Sequence, residues 1–117
     1  MNKTDYFLES SKKCYSLQMY PDAVSRAYYA LLHTMVDALD SKKIAADQRH
    51  HLIREAFLKN FVKGSDRKRV HDKIKEFQTA RENADYKRNL HEQYTEIQLQ
   101  NYYKEIIIFI QNFAQKI

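Results

Sequence analysis

The 117-residue chain has one glycine, one proline, one cysteine and no tryptophan. So few breakers exclude a sheet protein built on many tight turns and leave long helices. A single glycine also excludes a glycine-rich loop that cradles phosphate. With Cys14 alone, no internal disulfide can form, which suits a reducing compartment. Phe7, Cys14 and Leu17 share a helical stripe, so the thiol reads as packed rather than nucleophilic. Long hydrophobic runs are missing too. The longest, Ile106 to Ile110, falls far short of the ~20 residues a spanning helix needs. The N-terminus carries no signal-peptide pattern. The expectation is a soluble cytoplasmic protein that makes no membrane contact.

What is present fills a small core. Apolar residues make up 44% of the chain, with nine Tyr and six Phe. The length suits one domain over residues 1–117. Net charge is +5 and unevenly spread. Residues 42–91 hold 14 Lys and Arg against 7 Asp and Glu, while the remainder holds 6 against 8. A basic central half points to an anionic partner such as nucleic acid, or to a lysine-rich solvated surface.

The periodicity predicts an all-α antiparallel bundle of about five helices. The first runs from about Thr4 to Met19, with Thr4 or Asp5 as N-cap. Pro21 opens the second, to about Asp40, with a core stripe of Val24, Ala27, Tyr28, Leu31, Met35, Ala38 and Leu39. After a loop, Asp47 caps a third to about Lys63, ended by Gly64 in a left-handed conformation. Ser65 or Asp66 opens a fourth that frays after Asn83. Residues 87–94 read as a loop. Thr95 and Gln98 form a capping box for the fifth, striped by Leu99, Tyr103, Ile106, Ile110, Phe113 and Ile117. Ile107 and Phe109 broaden that stripe, so this helix is expected to be central or shared with another subunit.

Arg81 breaks the pattern. Val70, Ile74 and Phe77 mark one face of the fourth helix, and Arg81 falls within roughly 20° of Val70 on that face. A guanidinium keeps its charge, so burial without a partner is costly. The run Arg81-Glu82-Asn83-Ala84-Asp85-Tyr86 offers a carboxylate and a phenol within a turn and a half. The arrangement is either a structural ion pair or a site that holds an anion.

The second helix has an opposite, polar face: Arg26, Tyr29, Ala30, His33 and Asp37. An Arg and a His facing one cleft could bind phosphate and move a proton. The alternative is a solvated face. His50 and His51 are adjacent, so one should face the bundle and the other solvent. His71 and His91 read as surface residues. No cluster of metal-ligand spacing exists, and neither a metal nor another cofactor is expected.

Three segments, in order and in register, resemble the HEPN family of small prokaryotic helical bundles. They are Ser25-Arg26-Ala27-Tyr28-Tyr29-Ala30; His50 with Leu52, Ile53, Phe57 and Phe61-Val62-Lys63-Gly64; and Arg81 with Ala84-Asp85-Tyr86. The last fits the branch with an Arg-x-x-Ala-Asp-Tyr signature. The resemblance implies a bundle of four or five helices, often dimeric. Many members are toxins paired with a nucleotidyltransferase-type antitoxin, and active ones are metal-independent endoribonucleases. Their mark is an Arg, four to six residues, then a His, contributed by both protomers to one cleft.

This chain departs from that mark. Four residues after Arg81 comes Tyr86, and five or six lead to Lys87 and Arg88. Tyr, with a reference pKa of about 10, is a poor base near neutral pH. Arg26 and His33 satisfy the spacing, but on another helix. In a related branch the antitoxin modifies a tyrosine near the motif, which makes Tyr86 a candidate target. The expected function is an RNA-directed homodimer in a two-component toxin–antitoxin or defence module. The alternative is a non-catalytic module that binds RNA, a nucleotide or its protein partner. Arg81, Asp85 and Tyr86 are the leading catalytic candidates, with His33 and His50 behind them. Arg81, Arg26 and Tyr29 are the candidates for phosphate.

Overall fold

The computed structural model describes residues 2–45, 49–86 and 95–114, apart from the side chains of Tyr86, Phe113 and Ala114. Five helices follow one another: α1 (Lys3–Ser16), α2 (Tyr20–Ser41), α3 (His50–Phe61), α4 (Arg67–Tyr86) and α5 (Glu96–Ala114). No strand occurs among the described residues. None of these helices is long and apolar enough to cross a membrane.

The central element is α2, which packs against each of the other four helices. The sequence had suggested α5 either for that place or for a contact shared with another subunit. The reason lies in a second buried stripe beside the expected one. Val24, Tyr28, Leu31, Met35 and Leu39 form a face of large side chains, all at most 2% exposed. Ala23, Ala27, Ala30, Thr34 and Ala38 form an adjacent face of small ones, also buried. Ala30 therefore belongs to the core and not to the polar face assigned to it. The large face meets Ile53 and Phe57 from α3, Val70, Ile74 and Phe77 from α4, and Leu99, Tyr103, Ile106 and Ile110 from α5 in one core. Cys14 is half-buried against the same core. On the outer side of α5, Ile97 and Ile108 stay exposed.

Helix ends account for most differences from expectation. Asn2, not Thr4 or Asp5, caps α1, accepting a bond from the Asp5 amide at 2.8 Å. That helix stops at Ser16, because Gln18 turns left-handed with φ 61°. The Met19 and Gln18 amides then reach back to the Cys14 and Tyr15 carbonyls, at 2.8 and 3.0 Å. The same motif closes α2: Lys43 has φ 56°, and the Ile44 and Lys43 amides bond to Leu39 and Asp40. Gly64, expected to be left-handed, is not. Helix α3 ends earlier, with Val62 extended at its C-cap. Arg49 is its N-cap, and Asp47 lies outside the described residues. Helix α4 continues past Asn83 to Tyr86. The Thr95–Gln98 capping box forms as expected, with reciprocal bonds of 2.8 and 3.2 Å. Ile117 and the 87–94 loop, with His91, lie outside the described residues, as does the side chain of Phe113.

Two substitutions test these ends. A left-handed residue with a Cβ is strained by about 1 kcal/mol relative to glycine. Lys43→Gly should therefore raise stability by up to ~1 kcal/mol. A Cβ at Gly64 would meet nothing within 4 Å, so Gly64→Ala should add about 0.5 kcal/mol by stiffening the unfolded chain. Urea midpoints at unchanged m-value measure both.

Candidate functional site

Arg81 is buried, with 6% of its surface exposed, in the seam between α4 and α2. The stripe of Val70, Ile74 and Phe77 carries it there, one turn beyond Phe77. Its guanidinium carbon lies 5.6 Å from the Tyr28 ring centroid and 5.5 Å from that of Tyr29. Both distances suit attraction between a cation and a π-face. Nη1 donates to the Tyr29 hydroxyl and to Asp85 Oδ2, each at 3.4 Å. Nη2 lies 3.8 Å from Glu82. Asp85 also accepts from Ser25 Oγ, at 3.1 Å. Ser25, 8% exposed, ties the end of α4 to the start of α2.

His50 enters from the first turn of α3. Its Nδ1 lies 3.4 Å from the Tyr28 hydroxyl, and its ring lies edge-on to Tyr29 with centroids 6.3 Å apart. Burial pushes the Tyr28 phenol up to about 12, against the pull of Arg81 and Arg54. The phenol therefore keeps its proton near neutral pH. When it donates to Nδ1, the imidazole tautomer carries its hydrogen on Nε2. Burial lowers the His50 pKa, and the Arg81 charge lowers it further. His51, next along, is exposed.

The structure thus gathers Arg81, Asp85, Tyr29 and His50 around Tyr28. The other candidates stand apart. His33 stacks flat on Phe7 of α1, with centroids 5.5 Å apart, and Phe7 also touches Tyr29. Helix α1 thereby covers a face that the sequence left open to solvent. Asp37 takes a 2.8 Å hydrogen bond from Thr4 of α1. Burial and Lys3 lower the His33 pKa, while Asp37 opposes them. Arg26 is half-buried and forms no hydrogen bond or ion pair with the cluster among the described residues. Tyr86 is the last residue of α4, and its side chain lies outside the described ones. Within those residues, no group of three His, Cys, Asp or Glu is arranged to hold a metal ion.

Sequence reasoning missed Arg54, which is 7% exposed. Its Nη1 donates to Gln78 Oε1 at 2.8 Å, and Gln78 Nε2 donates to Glu82 at 3.1 Å. A polar chain thus runs from α3 along α4 to Arg81. The signal was available: Arg54 precedes the buried Phe57 and Leu58 by one turn, the pattern that singled out Arg81. Arg54 and His50 line a cleft of about 480 Å³ between α3 and α4.

The chain matches the HEPN domain family over residues 1–116. It belongs to that family. No curated protein and no solved structure matches it. The five-helix bundle is consistent with a HEPN domain, a class consistent with ribonuclease or nucleotide-binding roles.

Two outcomes follow from this geometry. Asp85→Ala leaves a buried guanidinium without its nearest carboxylate. It should destabilise the HEPN bundle by ~2 kcal/mol or more, read from urea unfolding. The second concerns pH. Folded His50 and His33 hold protons less well than the unfolded chain, whose reference is 6.5. Below that pH the unfolded state binds more protons, so stability is lost as pH falls through 6.5 and is complete above it. Urea midpoints should drop between pH 7.5 and 5.5, and the drop should shrink in a His33→Gln, His50→Gln double variant.

Proposed function

We propose that this HEPN chain is the RNA-directed component of a two-component toxin–antitoxin or defence module. Its working form is a homodimer, and its counterpart is a nucleotidyltransferase-type protein. The observation that carries the reading is the buried Arg81 guanidinium, held by Asp85 and two tyrosines, with His50 joined to it through Tyr28. Cleavage by a ribose 2′-hydroxyl needs a base, an acid and a cation for the phosphorane. Arg81 is the cation of that scheme and His50 the proton carrier. A twofold axis would present each group twice, letting one residue type serve as acid and base. The basic central half supplies attraction for the strand.

A second reading is a module that binds RNA without cutting it. Two observations favour it. Tyr86 stands where an active motif has His. Where Tyr28 donates to Nδ1, His50 carries its hydrogen on Nε2 and acts as a donor to phosphate rather than a base. In this reading Arg81 organises the seam and Tyr86 is a target for the partner enzyme.

One experiment separates the two. Purified protein is incubated with total RNA in EDTA, beside Arg81→Ala, His50→Gln and His33→Ala variants. Cleavage that survives chelation and falls at least about a hundredfold in His50→Gln supports the enzyme, since general acid–base catalysis supplies that much. Intact RNA with salt-sensitive retention supports the binding module. Neither cleavage nor retention would sink both.

A further inference from the structure

Arg81 is shut away from solvent, and α1 does part of the shutting. Nη1 of Arg81 meets the Tyr29 hydroxyl, and the Tyr29 ring packs on Phe7 with centroids 5.5 Å apart. Phe7 also lies flat on His33, 4° from parallel. Tyr29 and His33 are one turn apart on α2, so a single α1 side chain covers both. Thr4, one turn before Phe7, donates to Asp37, one turn beyond His33.

The two halves of α1 are fastened unequally. The second half is anchored. Ser11 is fully buried, and Tyr15 stacks on Tyr103 of α5 at 4.3 Å and meets Tyr20 at 5.4 Å. The first half seals no side chain completely, and its Phe7 and Leu8 are half-buried. Ser10 and Ser11 stand at the junction, where Ser11 Oγ bonds back to the Leu8 carbonyl at 2.8 Å. Paired serines and such back-bonds are places where helices bend. A terminal segment with so few sealed contacts opens more readily than the core it rests on.

Charge sets when it opens. The groups acting on His33 are Lys3 from α1, Asp37 from its own helix and His50 from α3. Burial lowers the His33 pKa, Lys3 lowers it further, and Asp37 opposes both. The docked helix therefore favours a neutral imidazole. Linkage runs both ways: docking that disfavours the proton is disfavoured by it. A proton on His33 also competes with Thr4 for Asp37, one turn away. Docking is complete above the reference value of 6.5 and weakens as pH falls through it.

We propose that the first half of α1 is a proton-released latch: Phe7 closes over Tyr29 and His33, and protonation of His33 lets it lift, freeing Tyr29 to uncover Arg81. What then reaches Arg81 rests on the RNA-directed reading above, while the latch stands without it.

The test is amide hydrogen exchange of the ¹⁵N-labelled full chain at pH 7.5 and 5.5, corrected for the intrinsic rate. Amides of residues 6–10 should be less protected than those of residues 28–35 in α2. Their opening should grow at the lower pH, by at most about tenfold for one imidazole, and His33→Gln should abolish that growth. The Arg81 Nε–H signal should lose protection in step. Phe7→Ala should move the His33 pKa up toward 6.5 and leave that of His50 in place. Lys3 is exposed, so Lys3→Gln keeps the fold and should move the His33 pKa in the same direction. Equal protection of the two segments, a pH response that survives His33→Gln, an Arg81 signal that ignores α1, or a His33 pKa unmoved in both variants would overturn the latch. RNA retention separates the two readings. Phe7→Ala should raise it at least about fivefold at pH 7.5, because binding no longer waits for opening. A latch that moves while no variant retains RNA removes the RNA-directed reading and keeps the latch. Retention unchanged in Phe7→Ala, with the α1 amides fixed, removes only the latch.

Discussion

A positive charge sealed between two aromatic rings sets the terms for this whole bundle. Arg81 cannot be neutralised and has almost no contact with solvent. Everything around it answers that charge: the faces of Tyr28 and Tyr29, the carboxylate of Asp85, and Ser25, which fixes Asp85 from the neighbouring helix. The pairing works only while α2 and α4 keep their register. The ion pair is therefore also a fastening between these two helices.

The same charge tunes its surroundings. It pulls the Tyr28 phenol down while burial pushes it up, and burial prevails. On His50 burial and Arg81 act together, so the imidazole favours its neutral form. A neutral imidazole beside a permanent cation is an arrangement in which positive charge stays where it is while a proton can still be exchanged. That arrangement arises from packing.

Much of this was legible in the sequence, and for a definite reason. Val70, Ile74 and Phe77 repeat at helical spacing, so the burial of Arg81 followed from geometry alone. Asp85, four residues on, had to lie one turn away. Thr95 and Gln98 announced a helix start because their reciprocal bonds are local. What escaped depended on contacts between distant residues. The Phe7 stack on His33 joins α1 to α2, and no periodicity within either helix reveals it. Ala30 was assigned to a polar face by its neighbours, though its size fitted it for a close helix contact. The left-handed positions fell to Gln18 and Lys43 while the lone glycine took an ordinary conformation, so a rule based on glycine preference failed.

Helix α2 carries Tyr29 and His33 on one side and a row of alanines on another. Each alanine is sealed, so a bulkier replacement would wedge a neighbouring helix aside, at roughly 1–3 kcal/mol apiece. Tyr29 and His33 are only partly covered and face no such limit. Two registers of one rod therefore differ in how much change they tolerate. Drift in side-chain size is open to the half-buried register and closed to the alanine one.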